Sequence, residues 1–402
     1  MSVIYKGTPD DDRIKADVDV FYNGEVEMYG YAGNDLLVAG LHHDYLIWGG
    51  KGNDVLEGGA KTNHIYGGTG NDSLTVFWTA DISYLYGEEG DDYLDLGDGG
   101  GLLDGGEGDD RMIGGKGLDT FIVDSVNDIV SDGYIPFYNN DPNPRDLVES
   151  SVNWTLGSNI EDLILTGRNS SDGGGNNLGN SITGNAKGNT LSGFSGNDTL
   201  VGKQGNDILI GGTGGDDLNG GRGKDTASYI NASSGVKVDL SDRRAFAGEA
   251  NGDKLTSIEN LEGSTNRDFL FGDAGSNHLY GGAGNDKISG ANGNDKIYGE
   301  NNNDRLIGGA GKDLLVGGIG KDTLIGGAGA DIFRFNRGDG SDVILDFDLG
   351  VDHIKIGKGA KSFSDLNLLQ VRDDVLVTFK DVEIKVLDVL LSDMDDSSHF
   401  IF

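Results

Sequence analysis

The chain has no cysteine, only four prolines, and 31 basic residues against 67 acidic ones among its 402 residues. The missing cysteine removes disulfides and thiol chemistry and leaves the compartment open. A formal net charge of −36 argues against nucleic acid or an anionic membrane surface as partner. It suits a chain that collects cations. No run of 18 apolar residues exists, so no transmembrane segment is expected. The start, "MSVIYKGTPDDDRIKADVDV", has no apolar stretch long enough for a cleavable secretory signal. Neither H-E-x-x-H nor G-x-S-x-G occurs; "GFSGND" at Gly193 has its second glycine, Gly196, one place too early. No amphipathic helix suited to pore formation is visible.

What the chain has in excess is glycine, 71 residues, roughly two and a half times ordinary usage. Glycine with acid can mean disorder. Here, however, the 36% of hydrophobic residues recur in register with the aspartates. Written as G-G-x-G-x-D-x-U-x, with U a large aliphatic residue, a nonapeptide fits residues 263–334 in eight consecutive copies. Position six reads Asp268, Asn277, Asp286, Asp295, Asp304, Asp313, Asp322 and Asp331. Position eight reads Leu270, Leu279, Ile288, Ile297, Leu306, Leu315, Leu324 and Phe333.

Glycines at positions one, two and four permit positive φ and a close approach of backbone to an ion. Calcium, a hard cation, takes six to eight oxygens, which carbonyls and aspartates of stacked turns can supply. The x-U-x triplet becomes a short parallel strand with its middle side chain in a thin core.

A second block carries Asn180, Asn189, Asp198, Asp207, Asp216 and Asp225 at position six; its neutral asparagines predict weak or absent calcium in the first turns. A degenerate block near the N-terminus carries Asp35, Asp44, Asp54, Asn63, Asp72 and Asp81 at spacings of nine or ten, then Asp92, Gly101, Asp110 and Asp119 at nine. One isolated copy with Asp12 opens the chain. In "AGLHHDYLI", His42 and His43 stand where glycine belongs. We read this as a degenerate turn, the alternative being a transition-metal site with Asp44. The predicted metal ligands are Asp35, Asp54, Asp72, Asp92, Asp110, Asp119, Asp198, Asp207, Asp216, Asp225, Asp268, Asp286, Asp295, Asp304, Asp313, Asp322 and Asp331.

The organisation predicted is a degenerate repeat block at 1–122, a spacer of wider rungs at 123–174, a second block at 175–226, a spacer at 227–262, the regular block at 263–334, and a cap at 335–402. The first spacer holds Pro136, Pro142 and Pro144 with Tyr134, Phe137, Tyr138 and Trp154. These aromatics are read as local core, a sugar-stacking platform being the alternative. In the tail, Ile354, Ile356, Val375, Val377, Phe379, Ile384 and Val386 alternate with polar residues, which predicts an antiparallel cap over the end of the roll.

The nonapeptides resemble the calcium-binding repeats of the RTX family. The resemblance implies an all-β parallel roll, on the order of a dozen calcium ions, export by a type I secretion exporter, and an extracellular protein that folds on meeting calcium. It also implies an uncleaved C-terminal export signal. Phe400, Ile401 and Phe402 match its hydrophobic triplet, while the acidic position is His399. These three residues are expected to serve export without being needed for the fold. No enzyme module is expected, since a repeat begins at Gly7. The functional expectation is a non-enzymatic structural or adhesive protein at a cell surface, matrix or exopolysaccharide; a secreted enzyme or effector acting on polysaccharide is the alternative.

Overall fold

A computed structural model describes residues 3–16, 24–77, 82–132 and 144–402. They fall into two compact units, Met1–Asn189 and Thr190–Phe402. Among the described residues no helix is long and apolar enough to cross a membrane.

Each repeat in the first unit supplies one short strand and one turn, and successive repeats alternate between two faces. Strand partners are therefore two repeats apart, as in Tyr45↔Asn63 and Val55↔Ser73. One face stacks Val3–Lys6, Val26–Ala32, Tyr45–Lys51, Asn63–Thr69, Ile82–Glu89, Gly100–Glu107, Asp119–Val123, Leu147–Ser150, Asp162–Leu165 and Ser181–Thr183, all parallel. The opposite face runs from Arg13–Lys15 through Leu36–Val38, Val55–Gly58, Ser73–Val76, Tyr93–Asp95 and Arg111–Ile113 to Ile129–Ser131, again parallel. Their middle side chains meet between the faces. Leu37, Leu56, Leu74, Leu94 and Met112 from one, and Ile47, Ile65, Leu85, Leu103 and Phe121 from the other, are fully buried. Each contributes about 1.5–3 kcal/mol on burial.

In the first spacer, Trp154–Thr155 pairs with Gly173–Gly174, and Trp154 is half-buried. Tyr134, Phe137 and Tyr138, read as core or sugar platform, lie outside the described residues, as do Pro136, Pro142 and Asp81.

The second unit is built the same way. All eight position-eight residues from Leu270 to Phe333 are fully buried. The spacer at 227–262 is more than a wider rung. Lys237–Asp239 and Lys254–Thr256 belong to parallel stacks, but Arg244–Ala247 runs antiparallel to both.

The antiparallel tail is also narrower than the alternation suggests. Ile332–Phe335, Ser341–Ile344 and His353–Ile356 continue the parallel stacks. Only Asn367–Val371, Asp374–Phe379 and Val382–Val386 form an antiparallel meander, whose last strand pairs parallel with Ser341–Ile344. Phe400–Ile401 then returns to the roll, parallel to His353–Ile356. Phe400 is buried, and its ring lies 5.3 Å from that of Phe363. The terminal triplet expected to be dispensable for folding thus supplies a strand.

Candidate metal centre

Position six stands just before each rung's strand or opens it, so stacking the rungs stacks these residues into columns at the edges of the roll. In the first unit one column runs Asp12, Asp35, Asp54, Asp72, Asp92, Asp110, Asp128. The backbone N–H of each donates to Oδ1 of the next at 2.7–2.9 Å. In the second unit one column holds Asp198, Asp216 and Asp253, and further along the stack Asp268, Asp286, Asp304, Asp322 and Asp342. The other holds Asp207, Asp225 and Glu259, then Asn277, Asp295, Asp313, Asp331 and Asp352.

One carboxylate oxygen is thereby committed to the backbone, and the second faces the turn. Oδ2 of Asp35, Asp54, Asp72, Asp92, Asp110, Asp216, Asp225, Asp286, Asp295, Asp304, Asp313, Asp322 and Asp331 is buried and receives no hydrogen bond. A buried, unsatisfied carboxylate oxygen is costly. Its surroundings show what would satisfy it. A Cβ on Gly49 would lie 2.3 Å from Asp54 Oδ2 and 2.6 Å from the Gly67 carbonyl oxygen; one on Gly290 would lie 2.2 Å from Asp295 Oδ2 and 2.7 Å from the Gly308 oxygen. The first glycine of the repeat therefore keeps open a small space lined by a carboxylate oxygen and a carbonyl oxygen of the stacked rung. An all-oxygen lining fits calcium.

Positive φ is not what position one needs. It occurs at positions two and four, as at Gly309 (115°) and Gly311 (148°). Position two also tolerates it without glycine, at Ala291 and Glu300.

The carboxyl groups are correspondingly hard to ionise. Burial pushes Asp72, Asp110, Asp286, Asp295 and Asp304 up to about 7, and Asp54 and Asp331 to about 6. The backbone N–H bond to each opposes this in part, and stacked carboxylates add to the rise.

Two predicted ligands already have a backbone donor on each carboxylate oxygen, so only second lone pairs remain to them for an ion. Asp119 accepts from Gly101 N–H at 2.9 Å on Oδ1 and from Gly115 N–H at 2.7 Å on Oδ2. Asp268 accepts from Val236 and Ser264 N–H groups at 2.7 and 2.6 Å.

The second column of the first unit departs from the predicted spacing. Strand register aligns Val26, Tyr45, Asn63, Ser83, Gly101, Asp119, Asp146, Glu161 and Asn180. Tyr45, not Asp44, occupies the column, and its hydroxyl accepts the Gly40 N–H at 2.8 Å. Asp44 is exposed. Ser83 stands where Asp81 was expected. His42, His43 and Asp44 do not converge as a set of metal ligands.

Asparagine replaces the cation with its own amide. Asn63 Nδ2 donates to the Gly59 and Lys61 carbonyls at 3.1 and 2.6 Å, Asn189 Nδ2 to Ser171 O at 2.6 Å, and Asn277 Nδ2 to Glu259 O at 2.8 Å. The spacer at 227–262 uses a phenol instead, the Tyr229 hydroxyl donating to Asp253 Oδ2 at 3.1 Å.

Acidic column members that the repeat pattern missed are Asp128, Asp146, Glu161, Asp253, Glu259, Asp342 and Asp352. Each keeps one local signal, an aliphatic residue two places on; Asp128 and Asp146 have no glycine in the five residues ahead, whereas Asp342 retains Gly338 and Gly340 at positive φ.

Among solved structures, the chain is similar to the extracellular lipase LipA from Serratia marcescens, 18% identical over 65% of this chain and 45% of the lipase chain, with a TM-score of 0.23. It thus spans less than half the length of that lipase, and nothing about activity follows from the likeness. No curated protein matches the chain. The RTX calcium-binding nonapeptide repeat, in four copies, matches residues 23–46, 48–75, 79–103, 97–130, 174–209, 192–227, 262–297, 298–333 and 307–344. These segments cover more than half the chain and contain most of the buried aspartates of the columns, and the protein belongs to the RTX calcium-binding repeat family.

Proposed function

We propose that this is a secreted protein without enzymatic activity, unfolded in the calcium-poor cytosol, exported by a type I system and folded outside by calcium, with a structural or adhesive role at a cell surface, in a matrix or in an exopolysaccharide. The observation that supports the calcium step is the row of buried Oδ2 atoms with no donor. When bound, calcium supplies the positive charge and oxygen affinity that these atoms lack. The chain's own contribution is the geometry. Each aspartate is aimed by the N–H bond to its Oδ1, the first glycine of each turn leaves room, and the aliphatic side chains at position eight hold the rungs in register. Because each rung rests on its neighbours, filling the turns and forming the roll are one cooperative event.

Circular dichroism of the full chain tests the calcium step. β-Structure is expected to appear on calcium addition and to vanish with EDTA; β-structure that survives chelation at neutral pH overturns it. A glycan array in calcium, with a reducing-end assay on the same glycans, tests the role. Binding without turnover is expected, and turnover overturns the non-enzymatic reading.

A further inference from the structure

The repeat pattern breaks after Asp119. Its column neighbour Asp146 follows 27 residues later, and the five residues ahead of Asp146, D-P-N-P-R, include no glycine. An acidic residue appears in the adjoining position. The pairing of Arg111–Ile113 with Ile129–Ser131 puts Asp132 one rung beyond Gly114, the first glycine of the preceding turn. A Cβ on Gly114 would lie 2.5 Å from Asp119 Oδ2, so a side chain at this place enters the carboxylate column. Carboxylate oxygens of Asp119, Asp132 and Asp146 lie within 4.8 Å of one another.

Two observations separate this cluster from an ordinary acidic patch. Asp146 is fully buried; its Oδ1 accepts the Asp119 N–H at 2.8 Å, and its Oδ2 is enclosed and meets no donor. The nearest basic side chains in sequence are committed elsewhere. The Arg145 guanidinium pairs with Asp162, and Lys116 pairs with Asp98 at 2.8 Å. Three carboxylates this close, one of them buried, repel one another when ionised, and a bound cation relieves that repulsion without a proton.

We propose that Asp119, Asp132 and Asp146 bind a hard divalent cation, calcium, through their side-chain carboxylates, at a place where the nonapeptide pattern is interrupted. All-oxygen, irregular and carboxylate-rich donor sets suit calcium, whereas zinc favours nitrogen and sulfur, and magnesium a regular octahedron. Asp132 follows the last strand of one face, while Asp119 and Asp146 open strands of the other. The ion would pin the two faces together at the point where the glycine turns stop. The site does not depend on export, adhesion or the absence of catalysis.

Crystals of the calcium-saturated full chain soaked in terbium give the direct test. An anomalous peak among the three carboxylates is expected, and a map with peaks in the glycine turns but none here overturns the proposal. In solution, equilibrium dialysis with radioactive calcium compares the wild type with Asp132→Asn. The variant is expected to keep its β-structure in calcium and to bind one ion fewer at saturation; an unchanged ion number overturns the assignment. Should Asp132→Asn fail to fold, the wild-type anomalous map decides alone.

Discussion

The Asp286 N–H donates to Oδ1 of Asp304 at 2.8 Å, while Oδ2 of each of these carboxylates is buried without a donor. One hydrogen bond both joins two rungs and aims a free oxygen into the turn. Neither aspartate can be moved without disturbing its neighbour.

Asp295 and Asn277 should respond oppositely to substitution. Asp295→Ala removes an orphaned oxygen and the acceptor of the Asn277 N–H. It should raise the calcium midpoint for folding about tenfold, equivalent to about 1.4 kcal/mol. Asn277→Asp removes the amide that donates to Glu259 O and sets a carboxylate against that carbonyl. It should lower stability in EDTA and add one bound ion in calcium. Titration calorimetry with ion counting checks both; equal midpoints for wild type and Asp295→Ala refute the ligand assignment.

Gly290→Ala tests the space rather than the charge. The new Cβ would stand 2.2 Å from Asp295 Oδ2 and 2.7 Å from Gly308 O, where an ion would sit. Overpacking of this kind costs about 1–3 kcal/mol. The expected result is a calcium midpoint raised at least as far as by Asp295→Ala, with one ion lost. Gly275→Ala, whose Cβ meets only Asp273 Oδ1 at 3.1 Å, should be much milder.

The pH dependence has a definite sign. Asp286, Asp295 and Asp304 rise from an ordinary value of 3.8 to about 7 in the metal-free roll. A raised folded value means that the roll gains from protonation. That contribution is fully present below about pH 4 and is lost as pH rises through about 7. In EDTA the chain should be more ordered at pH 4 than at pH 8, as circular dichroism would show. Calcium needs the ionised form, so its midpoint should rise as pH falls from 8 to 5.5. A midpoint that does not change with pH would mean that buried carboxylates are not the ligands.

Removal of residues 400–402 should weaken the fold as well as any export role. Phe400 is buried beside Phe363, and Phe400–Ile401 pairs with Ile354 and Lys355. Loss of a buried phenylalanine typically costs about 3–5 kcal/mol. The thermal midpoint in saturating calcium should fall, and an unchanged midpoint would show that this strand contributes nothing.

The regular block was legible from sequence because its grammar is local. Nine residues contain a turn, a ligand and a core side chain, so Asp286, Asp295 and Asp304 and their partners Ile288, Ile297 and Leu306 could be picked out by counting. Leu270 to Phe333 all became core for the same reason. Counting fails where the chain inserts residues, because column membership is then set by strand register. Register carried the N-terminal column past Asp44 to Tyr45, and brought Asp146 beside Asp119 across 27 residues and Asp253 beside Asp216 across 37. Only the tertiary structure could distinguish ligands that have a free oxygen from those already satisfied. Asp268 and Asp295 stand at the same place in the repeat, yet Ser264 supplies an N–H to Asp268 Oδ2 while nothing donates to that of Asp295. Sequence determined which residues could face the turn, since that depends on nearest neighbours. Which oxygens remain for an ion depends on donors brought in by stacking, and stacking is a property of the folded chain.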